Sequence, residues 1–275
     1  MCDLHGCGAH RDMPPIVVPD EARRAFLKGL ATLPLAAVLF DPILARAQAD
    51  GLEMVEIPLG EGKPVRGALA LPTADAAPAV LLVHEWWGLN DEMKTMAAEF
   101  ASQGFLAFAI DLYDVEAATD PESAMKLVQG LDPTVATEKL VAALNWLENH
   151  QRGTGRIGTT GWCFGGGWSL NASLARPVDA TVVYYGNVDK SAVELKALHG
   201  PVLGHFGTLD ENITRAMVER FEKAMAEAGK AELLQTYWYE ADHAFANPTG
   251  GRYDADDARL AFDRTLEFLK TRLAA

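Results

Sequence analysis

The sequence predicts an α/β fold in which a mostly parallel central sheet is covered by helices on both faces. Short apolar segments with the length of strands alternate along the chain with longer segments of helical periodicity. The length of 275 residues suits one large α/β domain, and 49% hydrophobic and 23% charged residues are the proportions of a globular protein. Polar residues follow several predicted strands. Because ligands of open α/β sheets bind at the carboxyl ends of the strands, we expect a functional site there.

The formal net charge of −14 restricts the partners of the chain. Nucleic acids and anionic membranes attract clustered Lys and Arg, and an acidic protein of this kind does not provide them. We therefore expect no nucleic-acid partner. The expected partner is a small molecule, and the expected state is a monomer.

Residues 1–47 resemble a removable twin-arginine export signal. The pair Arg23-Arg24 is followed by one residue of any type, an apolar pair and a lysine, as in that motif. The apolar stretch 29–40 comes next and is shorter than the ~20 residues that a membrane span requires. Small residues then precede an expected cleavage site after Ala47.

This leader makes the twin-arginine export machinery an expected partner and predicts a periplasmic protein without a stable membrane anchor. Residues 48–275 would then form a single domain, beginning near Gln48. The alternative is an amphipathic helix that belongs to the fold. Pro34 and Pro42 would interrupt such a helix, and no polar face is visible, so the export signal is the preferred interpretation.

The strands are predicted from apolar character. Segments 55–57 and 65–71 alternate in polarity like an edge hairpin, and segment 79–83 is continuously apolar, as expected of a strand buried on both faces. The remaining predicted strands are 105–111, a strand that begins near Arg156, 180–185, 201–206 and 233–239.

The helices are predicted from periodicity and from the residues at their ends. Asp120 and Asp132 each precede a proline, which is typical of a helix N-terminus, and Gly104 and Gly229 follow periodic segments as stop signals. The predicted helices are 93–103, one beginning at 120, 132–149, 168–175, 213–228 and 254–273.

The turn after the strand near Arg156 carries the pattern Gly161-x-Cys163-x-Gly165. It resembles the nucleophile elbow of α/β-hydrolases, with cysteine in place of serine. Glycines stand two positions on either side because a side chain there would collide with the neighbouring strand or helix. Cys2 and Cys7 lie in the leader, so the mature chain would keep Cys163 alone. The alternative is a flexible glycine loop with an ordinary buried thiol, and the pattern alone leaves both open.

A cysteine nucleophile needs a base and a third group that orients the base. Asp210 follows the predicted strand 201–206, and His243 follows strand 233–239. Nucleophile, acid and histidine thus occur in the chain order of α/β-hydrolases, each after a strand. Asp210 alone reads as a helix N-cap and His243 alone as a surface histidine, but the three together favour a triad. Asp242 is the rival acid.

Together these motifs resemble the dienelactone hydrolase family over residues 53–272. The residues that carry the resemblance are His84-Glu85-Trp86-Trp87-Gly88, Asp111-Leu112-Tyr113, Gly161-Trp162-Cys163-Phe164-Gly165-Gly166, Tyr184-Tyr185-Gly186, Asp210 and His243-Ala244-Phe245. The resemblance implies the α/β-hydrolase fold, a Cys163-His243-Asp210 triad, and contact of Glu85 with the resting thiol.

The chemistry of an acyl intermediate adds two expectations. Its oxyanion would lie between the backbone N–H groups of Trp86 and Phe164. A carboxylate at Glu85 would disfavour a second negative charge on the thiol until substrate binds, which would protect the thiol from oxidation. We predict that the substrate pocket is lined by Trp87, Tyr113, Tyr185, Phe245 and Asn247.

One feature of the family is missing. Members that open a carboxylate-bearing lactone hold it with arginines, whereas this chain has Asn247 four residues beyond His243 and Asp114 after Tyr113. Arg252 is a candidate to replace the missing carboxylate-binding arginines, but the sequence does not give its position in the site. We therefore expect a thiol hydrolase of small esters or lactones that needs no metal or cofactor. The alternatives are a general carboxylesterase or thioesterase and, from another class, a non-catalytic binding protein or thiol redox sensor.

Overall fold

The computed structural model describes residues 42–60 and 62–274, so Arg23-Arg24 and the apolar stretch 29–40 lie outside the described residues. Eight strands form one sheet. They are β1 (Glu53–Ile57), β2 (Val65–Ala70), β3 (Ala77–Val83), β4 (Leu106–Asp111), β5 (Gly153–Trp162), β6 (Ala180–Tyr184), β7 (Val202–Gly207) and β8 (Leu234–Tyr239). Their order across the sheet is β1-β2-β4-β3-β5-β6-β7-β8.

The pairing of the strands confirms the mostly parallel sheet. β1 pairs antiparallel with β2, and β2 with β4, while the other neighbours from β4 to β8 are parallel. The opening hairpin is thus an edge addition to a parallel sheet, whose strands are joined by crossover helices.

The helices cover both faces of the sheet. They are α1 (Pro42–Ala49), α2 (Asp91–Ser102), α3 (Pro121–Gly130), α4 (Pro133–Glu148), α5 (Phe164–Ala175), α6 (Ala192–Leu195), α7 (Arg215–Glu227) and α8 (Ala255–Arg272), with a 3₁₀ turn at Ala231–Leu233. Within the described part of the chain, none of the helices combines the length and apolar character that a bilayer crossing requires.

Strand β3 shows why its sequence is apolar throughout. Val80 and Leu82 face one core, which includes Phe100 of α2, while Leu81 faces the opposite core, which includes Leu144 of α4. Successive residues of a strand point to opposite faces, so a strand with helices on both sides has no polar side. β3 lies at the centre of the sheet and supports the segment 84–88 at its carboxyl end.

Helix α1 occupies the end of the predicted leader. Its residues Ala45, Gln48 and Ala49 are buried, and the buried hydroxyl of Thr95 in α2 donates a hydrogen bond to the carbonyl of Ala45 at 3.1 Å. Pro42 therefore begins a helix, whereas the sequence suggested that it interrupts one. A proline in the first turn is tolerated because the N–H that it lacks has no helical partner there.

Of the element boundaries that differ from prediction, two have identifiable reasons. Helix α7 begins at Arg215, two residues late, because Asp210 already accepts the N–H groups of Asn212 and Ile213 and Thr214 then caps the helix. Strand β5 begins at Gly153, earlier than predicted, and Ala77 donates to the carbonyl of Arg152 beside it.

Candidate active site

Cys163 stands at the tip of a sharp turn between β5 and α5, in a left-handed conformation with φ of 53° and ψ of −117°. Non-glycine residues adopt positive φ only where the surroundings hold them. Its N–H donates to the carbonyl of Tyr184 at 3.0 Å, and its carbonyl accepts the N–H of Gly166 at 3.0 Å. These bonds fix the strained residue at the carboxyl end of the sheet, with its side chain partly exposed.

The glycines of the elbow are required by crowding. A Cβ on Gly161 would lie 2.0 Å from the carbonyl oxygen of Gly165, and a Cβ on Gly165 would lie 2.2 Å from the carbonyl oxygen of Val83. Neither position has room for any other residue. The glycine pattern in the sequence therefore reflects a close approach of strand and helix and not a flexible loop.

Cys163, His243 and Asp210 form a hydrogen-bonded line. His243 Nε2 lies 3.1 Å from Cys163 Sγ, and His243 Nδ1 lies 2.7 Å from Asp210 Oδ2. The other oxygen of Asp210, Oδ1, accepts the N–H groups of Asn212 at 2.7 Å and Ile213 at 2.9 Å. Asp210 thus shapes its own loop with one oxygen and orients the imidazole with the other.

This arrangement shifts the ionisation of the histidine and the aspartate in opposite directions. Burial alone would lower the pKa of His243, but its hydrogen bonds with Asp210 and Cys163 raise that pKa to about 10. Burial alone would raise the pKa of Asp210, but the bond from His243 and the N–H groups of Ile213 and Asn212 lower it below its ordinary value. At neutral pH Asp210 is therefore ionised and His243 is in its positively charged imidazolium form.

The rival acid, Asp242, has a different role. Its Oδ1 accepts the backbone N–H of His243 at 2.6 Å and lies 4.0 Å from Arg252 Nη1. Asp242 therefore organises the loop that carries His243, while the imidazole itself is held by Asp210.

Glu85 is buried beside this line at the end of β3, and its carboxylate is held by two neutral donors. Asn247 Nδ2 donates to Oε2 at 2.7 Å, and the hydroxyl of Tyr185 donates to Oε1 at 3.4 Å. Burial raises the pKa of Glu85, and these hydrogen bonds together with the charge of His243 oppose the rise. The expected contact of Glu85 with the thiol stays a prediction.

A second carboxylate, Glu92, joins this network and was missed in the sequence. It stands in the first turn of α2 and accepts the hydroxyl of Thr249 at 3.0 Å, while Thr249 also donates its N–H to Asn247 Oδ1 at 2.9 Å. Burial and then the charge of Glu85 raise the pKa of Glu92 to about 8. An acidic residue in a first helical turn is ordinary, so the sequence gave no signal for this role.

The expected oxyanion donors lie on two well-fixed segments. Phe164 begins α5, directly after Cys163, and Trp86 follows β3. The loop of Trp86 is held by His84, whose Nδ1 lies 2.6 Å from the carbonyl of Glu85 and whose Nε2 accepts the N–H of Leu112 at 3.2 Å. Burial lowers the pKa of His84 to about 4, so this imidazole is neutral and serves as a clamp.

The remaining predicted pocket residues fall into two groups. Tyr113, whose hydroxyl donates to the carbonyl of Trp86 at 3.3 Å, and Trp87, whose ring centroid lies 4.8 Å from that of Trp86, keep part of their surface exposed. Tyr185 and Phe245 are fully buried, with ring centroids 5.4 Å apart. These two rings support the site from the core, whereas Trp87 and Tyr113 can border a bound ligand.

Large cavities do not mark this site. One lies between α2 and α8 and is lined by residues such as Met96 and Phe262, and another is lined by residues such as Lys63 and Val135. Cys163 and His243 line neither. The position of the reactive groups, and not the size of a cavity, locates the candidate active site.

The eight-stranded sheet, the elbow between strand and helix, and an aspartate and a histidine after later strands define an α/β-hydrolase. The chain belongs to the dienelactone hydrolase family, whose family model matches residues 65–273. It is a hydrolase of ester or lactone bonds, and the family resemblance seen in the sequence is confirmed.

Individual relatives agree with this assignment. A carboxymethylenebutenolidase of Pseudomonas putida is 29% identical over 228 residues, which cover 79% of this chain and 95% of the relative. The protein usf of Aquifex pyrophilus is 30% identical and covers 77% of this chain and 95% of its own length. A crystal structure from Klebsiella pneumoniae assigned to the dienelactone hydrolases is 26% identical, with a TM-score of 0.72 over 79% of this chain and 97% of that one.

Proposed function

We propose that the protein is a cysteine-nucleophile hydrolase of small esters or lactones, acting through Cys163, His243 and Asp210 and an acyl-thioester intermediate. The hydrogen-bonded line from Sγ through the imidazole to Asp210 Oδ2, with separations of 3.1 and 2.7 Å, is the observation that carries this proposal. These are the distances at which a nucleophile and its base exchange a proton.

In the first step Sγ attacks the carbonyl carbon of the substrate, and the proton that Sγ and His243 share stays on Nε2. The carbonyl π electrons move onto oxygen, which lies between the N–H groups of Phe164 and Trp86. The oxyanion then collapses, the C–O bond to the leaving group breaks, and Nε2 donates its proton to the departing alkoxide. Removal of one oxyanion donor in such sites costs about 10²–10³ in rate.

In the second step the now neutral His243 takes a proton from water, and the hydroxide attacks the thioester carbon. The C–S bond breaks, the acid product leaves, and sulfur and imidazole again share one proton. Asp210 stays ionised throughout and stabilises the imidazolium that forms, which its lowered pKa supports. In a lactone the leaving alkoxide remains attached to the acyl group, so the product is one hydroxy acid.

We also propose that Glu85 keeps the thiol unreactive until substrate arrives. Its buried carboxylate, held beside the site by Asn247 and Tyr185, disfavours a second negative charge on Sγ and so keeps the thiol protonated. Iodoacetamide labelling of wild type and Glu85→Gln tests this role. Faster labelling of the variant, and of wild type with a substrate analogue, is expected; equal rates in all cases would rule it out.

For localisation we propose twin-arginine export to the periplasm with cleavage after Ala47, supported by the Arg23-Arg24 motif and the short apolar stretch that follows. Fractionation of a host that expresses the full chain, with Arg23→Lys/Arg24→Lys as the comparison, tests the proposal. Retention of both forms in the cytoplasm would contradict it.

Activity is tested on the full chain with p-nitrophenyl acetate and a panel of lactones that includes a dienelactone. Cys163→Ala and His243→Ala are expected to lose at least about 10³-fold in kcat/KM. Cys7→Ala, in the leader, and His199→Ala, an exposed histidine, are the matched controls and should retain activity. Acid quenching of the wild type should trap one acyl group on the peptide that contains Cys163. Equal turnover by all five proteins would refute the proposed function.

A further inference from the structure

We propose that this enzyme selects substrates whose acyl part is uncharged or positively charged, because carboxylates occupy the Glu85 side of the reaction centre and the neighbouring basic side chains are paired with acids. This inference rests on the proposed function and deepens it by naming a substrate class. Three features of the site support it. Carboxylates lie near the reaction centre, the neutral hydrogen-bond donors already serve protein acceptors, and the basic side chains are paired with acids.

Two carboxylates besides Asp210, those of Glu85 and Glu92, belong to the network around Asn247 and Thr249. Glu85 is 5% exposed and lies within electrostatic range of His243. Glu92 lies behind it, and the charges of the two carboxylates act on each other. In a site shielded from water these charges are screened less than surface charges, so they act on a bound acyl group as well.

The neutral donors that could bind a substrate carboxylate already serve protein acceptors. Asn247 donates to Glu85 at 2.7 Å, Tyr185 donates to the same carboxylate at 3.4 Å, and Tyr113 donates to the carbonyl of Trp86 at 3.3 Å. A carboxylate on the substrate would have to compete with Glu85 for two of them, and would leave a buried acid without its donors.

The basic side chains on the bordering segments are also engaged. Lys139 is buried, lies 2.6 Å from Asp114 and donates to the carbonyl of Leu112 at 3.0 Å. Lys94 bonds Asp91 at 3.2 Å within α2.

Arg252 is the basic residue that could attract an anionic substrate. Its positive charge acts on Glu85 and partly offsets the rise in the pKa of that carboxyl. Its side chain is 51% exposed, however, and its Nη1 lies 4.0 Å from Asp242. An exposed guanidinium that already neighbours an acid attracts a further anion weakly in water. Glu85 is buried, so water screens its charge less, and its repulsion of the same anion outweighs the attraction by Arg252.

Three esters with the same leaving group and the same acyl chain length test this selection on the full-length protein. They are p-nitrophenyl hexanoate, the p-nitrophenyl half ester of adipic acid, and p-nitrophenyl 6-aminohexanoate. We expect kcat/KM for hexanoate to exceed that for the adipate half ester by about tenfold, with the amine at least equal to hexanoate. Added salt should narrow the gap.

A matched pair of variants assigns the selection to the site. At pH 8.5, where most of Glu92 is ionised, Glu92→Gln removes a charge and keeps an oxygen for Thr249. It should raise the adipate-to-hexanoate ratio by about threefold at this pH and by less at pH 7. Glu267→Gln is the control. Glu267 lies on α8 beside Leu203 and Gln235, at the amino ends of β7 and β8, whereas the candidate site lies at the carboxyl ends of the strands. Loss of its charge should leave the ratio unchanged.

The outcomes separate the two proposals. If the half ester is hydrolysed as fast as hexanoate in a reaction that Cys163→Ala abolishes, charge selection is refuted while the proposed function stands. If Cys163→Ala leaves hydrolysis of all three esters unchanged, the proposed function fails and the charge selection fails with it.

Discussion

Asn247 donates its side-chain amide to the carboxylate of Glu85 at 2.7 Å, across a sequence separation of 162 residues. The bond links the loop after β8, which carries His243, to the end of the central strand β3. The amide oxygen of Asn247 accepts the N–H of Thr249 at 2.9 Å and lies 2.7 Å from the hydroxyl of the same residue. A residue that the sequence placed in the substrate pocket therefore connects two loops of the candidate active site and holds a buried acid.

Replacement of Asn247 by Leu should destabilise the protein by about 1–3 kcal/mol, because a buried carboxylate loses its shortest donor and Thr249 loses its acceptor. The cost should be smaller in a Glu85→Gln background, where the group left behind is uncharged. Chemical denaturation of the four proteins of this double-mutant cycle measures the coupling, which we expect to exceed about 0.5 kcal/mol. Additive effects would show that Asn247 and Glu85 do not stabilise each other.

Glu92 predicts a pH dependence of stability with a definite sign. Its pKa is raised from 4.5 to about 8 in the folded protein, so the folded state binds this proton more tightly than the unfolded chain does. The stability that this group contributes is therefore present at low pH and is lost as pH rises from about 4.5 to about 8.

The variant Glu92→Gln should not show this loss of folding stability at high pH. Because Glu92 keeps part of its surface exposed, we expect a gain of only about 1 kcal/mol at pH 9, or roughly 2–4 °C in Tm, and little gain at pH 4. Calorimetry across this range checks the prediction, with Glu267→Gln as the control. A gain that is equal at both pH values would contradict it.

The architecture could be predicted because it depends on local patterns. The apolar run of β3 and the cap residues Asp120 and Asp132 are contiguous in the chain, and the structure has β3 buried on both faces and helices beginning at Pro121 and Pro133. The order of Cys163, Asp210 and His243 likewise follows from the order of the parallel strands, since each residue lies in the turn or loop after one of them.

The contacts around Glu85 could not be predicted in the same way. Glu92 and Thr249 are 157 residues apart, and each alone is an ordinary polar residue at a helix start or in a loop. Only the folded chain shows that burial turns them into a network. Helix α1 was missed for a different reason, because Pro42 was assigned the role of a helix breaker although a first-turn proline is compatible with a helix.

Asp210 and Asp242, the residue before His243, provide a matched pair for the acid of the proposed triad. Asparagine at 210 has one acceptor oxygen where the aspartate uses two, so either His243 or the N–H groups of Asn212 and Ile213 lose a partner. We expect Asp210→Asn to lower kcat by about 10³-fold or more and to lower the pKa of His243. Asp242→Asn should stay within about threefold of wild type. Ester kinetics and histidine NMR titration measure both; an equal loss in the two variants would contradict this division of roles.

The elbow predicts opposite outcomes for two glycines. Gly161→Ala places a Cβ 2.0 Å from a backbone oxygen of Gly165, so β5 and α5 must separate, and we expect a loss of several kcal/mol and of activity. Gly167→Ala meets the carbonyl of Asn187 at 3.2 Å, where a small shift suffices. The helix-forming preference of alanine, about 0.5–1 kcal/mol, should offset that crowding. Thermal melts and ester kinetics distinguish the two, and a stable, active Gly161→Ala would refute the crowding argument.

The contact between α1 and α2 provides a test of what α1 contributes to stability. Thr95 is fully buried and donates to the carbonyl of Ala45, which lies before the expected cleavage site after Ala47. In the uncleaved chain, Thr95→Val should cost about 1 kcal/mol, because the carbonyl of Ala45 is left without its donor. In a chain that begins at Gln48 that carbonyl is absent, so the same substitution should cost nothing. Denaturation of both chains with and without the substitution measures the difference. An equal cost in the two chains would show that Thr95 is stabilised by other contacts and that α1 adds nothing through this bond.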